Sequence, residues 1–280
     1  MPCWARHVLI VATLPASAMA FSAAHLVHNR PLMKPKLHRS LCKPMCSLPP
    51  LAGALAADIC AGGLAAFGCA PLVSCVDQAI TLSASGDVKL WPTIFEKIAG
   101  IARSPAKFFT SAVFWWLWSL FAVTYAVANV AATLARACGI SPTVPVLIFS
   151  TAANMAVCIA KDAAFARMLS SGEPKPVPAQ SYLAWFGRDL LTMAFVFTLP
   201  MVLASRMPVL LCRLLSPVVA QCFTTPLHLL GLGFYNTPEA PLSAMRNTLF
   251  PTIIARQFRI IPAFSLGGVA NARLRAILLP

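Results

Sequence analysis

From residue 51 onward the chain is a succession of apolar runs of roughly 20 residues separated by short, mostly basic connections. That length is what an α-helix needs to cross about 30 Å of hydrocarbon. Six runs are predicted to span, at about 51–76, 108–135, 142–165, 181–204, 207–234 and 248–270. They are continuous, without the alternation of a membrane β-barrel strand, so helices are expected. Prolines break the fifth and sixth, which also carry Arg213, His228, Arg256 and Arg259. The first is crowded with Gly and Ala (GALAADICAGGLAAFGCA), and small residues let helices approach closely in lipid. The expected fold is an all-α membrane protein, with residues 51–280 forming a six-helix transmembrane domain.

Composition agrees: 59% of residues are hydrophobic and 11% charged, against roughly a quarter charged in a soluble domain. The net charge of +14 does not point to nucleic acid, because the basic residues are scattered between apolar runs and form no patch. They read instead as loop charges that orient the chain. The cysteines, such as Cys60, Cys69, Cys75, Cys158 and Cys222, stand singly in apolar stretches and read as small buried hydrophobes. Cys42 and Cys46 have no matching second pair for a metal, so neither metal nor cofactor is expected.

Residues 1–57 contain no Asp or Glu but include Arg6, Arg30, Lys34, Lys36, Arg39 and Lys43. An acid-free, basic, Ser-containing start is the composition of an organelle-targeting leader, here taken as residues 1–50. Within it, Arg6 precedes VLIVATLPASAMA, a run too short to span comfortably that ends in Ala18 and Ala20, spaced as in an A-x-A cleavage site. Phe21 would then open a second basic segment, which resembles the bipartite leaders of proteins in secondary plastids. A mitochondrial presequence is the other reading. The protein is expected in a plastid or mitochondrial inner membrane.

The connections after spans one, three and five carry Lys89, Lys97, Arg103 and Lys107, then Lys161, Arg167 and Lys175, then Arg246. Those after spans two and four carry only Arg136 and Arg206. The three basic connections therefore share one side, the matrix, stroma or cytosol, with both ends of the mature chain opposite. The same grouping suggests three pairs, each span, basic loop, span. CAPLVSCVDQAI, AANMAVCIAKDAAFAR and CFTTPLHLLGLGFYN end the odd spans; FAVTYAVANVAA and LGGVANAR, in the even ones, share a V-A-N step at Asn129 and Asn271. This arrangement resembles the mitochondrial carrier family, whose three repeats each join two helices by a basic matrix loop. The resemblance covers about residues 51–275 and implies a bundle with a central solute path. It departs from the family at the P-x-[DE]-x-x-[KR] gate: Val73 follows Pro71 where the acid belongs, Asn154 stands near the second proline's place, and His228 follows Pro226.

Charged groups inside a membrane are costly and face a cavity or a partner. In WFGRDLLTMAFVFTLP, Arg188 and Asp189 sit side by side at the head of an apolar run. Adjacent helix positions point about 100° apart, so each is expected to find its partner on another helix, with Asp77, Lys161 and Asp162 at the same membrane level. These residues either line or close a substrate route or fix helix ends at the interface. His228 reads as a proton relay or a packed histidine. Asn129, Asn154 and Asn271 read as substrate contacts near the midplane or as interhelical hydrogen bonds. FWWLW at 114–118 reads as an interfacial belt or lipid-facing packing. LGGVAN at 266–271 lacks both a preceding strand and the G-x-G-x-x-G spacing of a nucleotide loop.

No H-E-x-x-H, G-x-S-x-G or Walker motif is present, and acids are too few for a paired-carboxylate site, so an enzyme is not expected. Two functions remain: a carrier-like transporter of a small solute or metabolite, and a non-transporting scaffold, assembly factor or subunit of a larger membrane complex. The partners expected are the lipid bilayer, a small solute and, for the second reading, that complex.

Overall fold

A computed structural model describes residues 48–86, 88–170, 173–203, 206–260, 263 and 267–279. The expected leader therefore lies almost wholly outside the described residues, as do Cys42 and Cys46. Among the described residues all regular structure is helical: α1 (Leu48–Ala84), α2 (Leu90–Arg103), α3 (Pro105–Phe109), α4 (Ala112–Ala137), α5 (Thr143–Leu169), α6 (Ala179–Leu203), α7 (Val209–Asn236), α8 (Pro241–Ile260) and α9 (Gly268–Leu278).

Local chemistry explains several boundaries. Pro49 and Pro50 stand in the first turn of α1, where their missing N–H groups cost nothing. Gly86 at φ 93° ends the turn that follows this helix. Ser111 caps α4 by accepting the Phe114 N–H at 3.3 Å. Gly139, at φ 71°, closes α4 with its N–H on the Arg136 carbonyl at 3.1 Å.

Four described segments are long and apolar enough to cross a membrane: Leu51–Ala84, Ala112–Ala137, Thr143–Leu169 and Leu215–Asn236. The expected count of six is corrected to these four. The expected fourth span is α6, which carries Arg188 and Asp189. The expected sixth is two helices, α8 with Arg246, Arg256 and Arg259, and α9 with Arg273 and Arg275.

Helix α1 packs on α4 and α9, and also touches α2, α5, α7 and α8. Lipid is as apolar as the helices, so their association rests on close packing and on interhelical polar contacts. Gly62 shows the first. A Cβ there would lie 2.7 Å from the Ala126 backbone nitrogen of α4. Gly62→Val is expected to cost about 1–3 kcal/mol by forcing the two backbones apart, whereas Gly68→Ala, which meets open space, is expected to be neutral or stabilising. Thermal unfolding in detergent checks both.

One core cluster joins Ala66, Cys69, Ala70 and Val73 of α1 to Phe114, Leu117, Leu120 and Phe121 of α4. Part of the aromatic run at 114–118 thus belongs to the core. Phe114 and Leu117 are buried, Trp118 donates to the Gly63 carbonyl at 3.0 Å, and Trp115 faces outward. The second cluster gathers Val76 and Ile80 of α1, Ala163 of α5, Trp185 of α6, and Leu229 and Leu232 of α7. Trp185 lies against Gly231, where any Cβ would collide with its indole, and donates to the His228 carbonyl at 3.3 Å. Leu64, Phe149, Leu183, Leu190, Phe250 and Ile277 point outward, as lipid-facing side chains do.

Candidate functional site

Two polar networks lie inside the bundle. In the first, Lys161 of α5 places Nζ 2.8 Å from Asp77 Oδ2 of α1 and 2.6 Å from Asp162 Oδ1. Asp77 uses its other oxygen to accept from Arg259 of α8 at 3.0 Å. Asp162 Oδ2 takes Arg188 Nη1 of α6, and Arg188 Nε donates to Asp189 Oδ1 at 2.8 Å. Arg188 Nη2 also donates to Cys158 Sγ at 3.2 Å. The Lys161 ammonium lies 5.0 Å from the Phe165 ring centroid, a cation–π contact. Lys161 and Arg188 are each 1% exposed, so these charges are compensated by one another and not by water. Three acids (Asp77, Asp162, Asp189) face three bases (Lys161, Arg188, Arg259), and the cluster is neutral.

His228 of α7 joins it through Nδ1, 2.8 Å from Arg188 Nη1. Arginine only donates, so Nδ1 accepts and the neutral ring carries its proton on Nε2. Asp162 Oδ2 is 3.9 Å from the same nitrogen.

The second network centres on Asp58 of α1, which is fully buried. Its carboxylate accepts from Arg275 Nε of α9 at 2.6 Å and from the Thr133 hydroxyl of α4. Arg275 Nη2 donates to Thr133 Oγ1 at 2.7 Å and to the Asn129 carbonyl at 3.2 Å. Asn129 donates to the Asp58 carbonyl at 3.1 Å and exchanges hydrogen bonds with Asn271 at 2.9 and 3.1 Å. Asp58 and Asp77 are 19 positions apart on one helix, or about 28 Å at 1.5 Å per residue. That separation is close to the hydrocarbon thickness, so the networks occupy opposite ends of the bundle.

Of the residues singled out from the sequence, Arg188, Asp189, Asp77, Lys161, Asp162 and His228 all meet in the first network. One expectation is corrected: Arg188 does pair with its neighbour Asp189. The arginine side chain is long enough for Nε to fold back while its Nη groups reach α5. Asn129 belongs to the second network. Asn154 joins neither and donates to Thr124 Oγ1 at 3.1 Å, an α4–α5 contact. Asp58, Thr133 and Arg275 were missed. The available signal was Asp58 itself, an acid inside a Gly/Ala span, where any ionisable group calls for a partner.

On the surface by α2 and α3, an open cleft of about 350 Å³ is lined by Gln78, Glu96, Lys97, Arg103 and Lys107. Gln78 is the neighbour of Asp77, so this cleft lies just outside the first network. Among the described residues no group of His, Cys, Asp and Glu could hold a metal.

Apolar crossing helices that enclose compensated charges define an integral membrane protein. Residues 61–279 match the family described as probable citrulline exporter, and the chain belongs to that family. It is thus a membrane protein of a transporter family. A search of curated proteins found no match. The family match corrects the resemblance to the mitochondrial carrier family. Pairs of spans joined by basic loops follow from an even span count and the positive-inside rule alone, so that pattern does not single out carriers, and the carriers' gate motif is missing.

Proposed function

We propose that the protein exports a small zwitterionic amino acid of the citrulline kind across an organelle membrane, and that the two buried networks close the two ends of its path. The observation that carries this reading is the first network, six charges, five of them buried, in the bundle of an exporter-family chain. A neutral cluster sets no net charge against a zwitterion. Its bonds run between α1, α5, α6 and α8, so opening that end means exchanging ion pairs between helices, the kind of two-state element that alternating access needs. Organelle targeting is supported by the basic, acid-free stretch before residue 58, and a fluorescent fusion of residues 1–57 would report it.

The test is efflux of radiolabelled citrulline from liposomes holding the purified full chain. Wild type is expected to empty them faster than protein-free vesicles, and Arg188→Ala is expected to remove that difference. Wild-type protein that moves no citrulline overturns the reading. Co-migration with a large complex on native gels would then favour the scaffold.

A further inference from the structure

Helices α7 and α8 pack along a polar seam. Gln221, Thr224 and His228 share one face of α7, and Thr252, Arg256 and Arg259 one face of α8, each set at spacings of three or four. His228 and Arg259 belong to the charge cluster. Arg256 does not. Its Nε donates to Gln221 Oε1 at 2.6 Å, while Nη1 is buried with no hydrogen-bond partner. None of the ion pairs among the described residues includes it. One helical turn from Gln221 on α7 and from Arg256 on α8, the Thr224 and Thr252 hydroxyls are also buried without partners. Arg256 is 4% exposed, and a guanidinium cannot shed its charge by losing a proton. A buried cation with no acid in contact is unfavourable, and an arriving anion would offset that.

We propose that Arg256, with the Thr224 and Thr252 hydroxyls, receives the carboxylate of the transported solute; this rests on the export reading above. The planar guanidinium matches a carboxylate in geometry and charge, and both hydroxyls can turn to donate. Gln221 fixes one edge of the guanidinium. Seven residues, or about 10 Å along α7, separate Gln221 from His228. On α8 Arg256 stands one turn from Arg259, so the site adjoins the first network. The ligand class is a small molecule with a free carboxylate; its amide or ester is refused.

Thermal unfolding of the full chain in detergent is followed with citrulline, with citrullinamide and with a panel of small carboxylates, and the same compounds compete in the efflux assay. Citrulline is expected to stabilise wild type and citrullinamide to have no effect. Arg256→Gln is expected to lose that stabilisation, and Thr252→Val to weaken apparent affinity roughly tenfold while keeping the preference. Arg206→Gln, in an exposed connection, serves as the control. Should Arg256→Gln fail to fold, Thr252→Val and the wild-type preference still decide. Equal stabilisation by citrulline and citrullinamide, an Arg256→Gln that still tells them apart, a Thr252→Val with unchanged affinity, or no response to any carboxylate overturns the proposal. A response to other carboxylates but not to citrulline, lost in Arg256→Gln, supports the site and overturns citrulline as the solute.

Discussion

Asp162→Asn is expected to abolish citrulline efflux and to lower stability by about 3 kcal/mol, on the order of 10 °C in the unfolding midpoint. Asp162 holds Lys161 through one oxygen and Arg188 through the other. Losing its charge leaves two acids facing three bases, in a place where Asp162 is 2% exposed and water cannot compensate. A companion variant separates packing from pathway. Lys161→Met with Asp162→Asn removes one base and one acid and leaves Asp77–Arg259 and Arg188–Asp189 as intact pairs. Its stability is expected to recover most of the loss, since a balanced buried cluster is cheaper than an unbalanced one. Efflux is expected to stay lost, because the bond between α1 and α5 is gone. Recovery of efflux together with stability would show that the cluster only fixes helix ends.

Arg275→Leu is the other large effect, with an expected cost of about 3–5 kcal/mol. Among the described residues Arg275 supplies the one cation on Asp58, which is fully buried and keeps the Thr133 hydroxyl as its remaining side-chain donor. The same change frees α9 from α4, since Arg275 also bonds Thr133 and the Asn129 carbonyl. Asp58→Asn in the same chain is expected to restore much of the stability by removing the stranded charge. Unfolding in detergent reads both. A single variant as stable as wild type would mean that Asp58 is not held ionised by Arg275.

Helices were legible because each apolar run must satisfy its own backbone in lipid. The predicted span 142–165 is α5 at Thr143–Leu169, and 181–204 is α6 at Ala179–Leu203. The sixth span was misjudged because its hydropathy reads on past Ile260, where α8 ends, to Gly268, where α9 begins. Tyr125 of α4 donates to the Ala263 carbonyl at 2.6 Å within that stretch, and its hydroxyl fills the place a Cβ on Gly267 would need. Such a contact spans 138 positions and leaves no local mark.

The first network was legible in outline because acids are rare: Asp77, Asp162 and Asp189, each next to an apolar run, must seek partners. The particular bonds were not, since they depend on how far Arg188 can fold back and on where α8 brings Arg259, 182 positions from Asp77. The carrier resemblance failed for a related reason: loop charge and span parity describe orientation, which many families share.

By itself the sequence determined the membrane environment, the helical class and the position of the runs, because each depends only on the transfer of local segments into lipid. Tertiary structure decided which buried charges are compensated, that Asp58 and Arg275 meet across 217 positions, and that Arg256 enters no ion pair among the described residues. These are properties of side-chain reach between helices distant in the chain, and no window of sequence contains them.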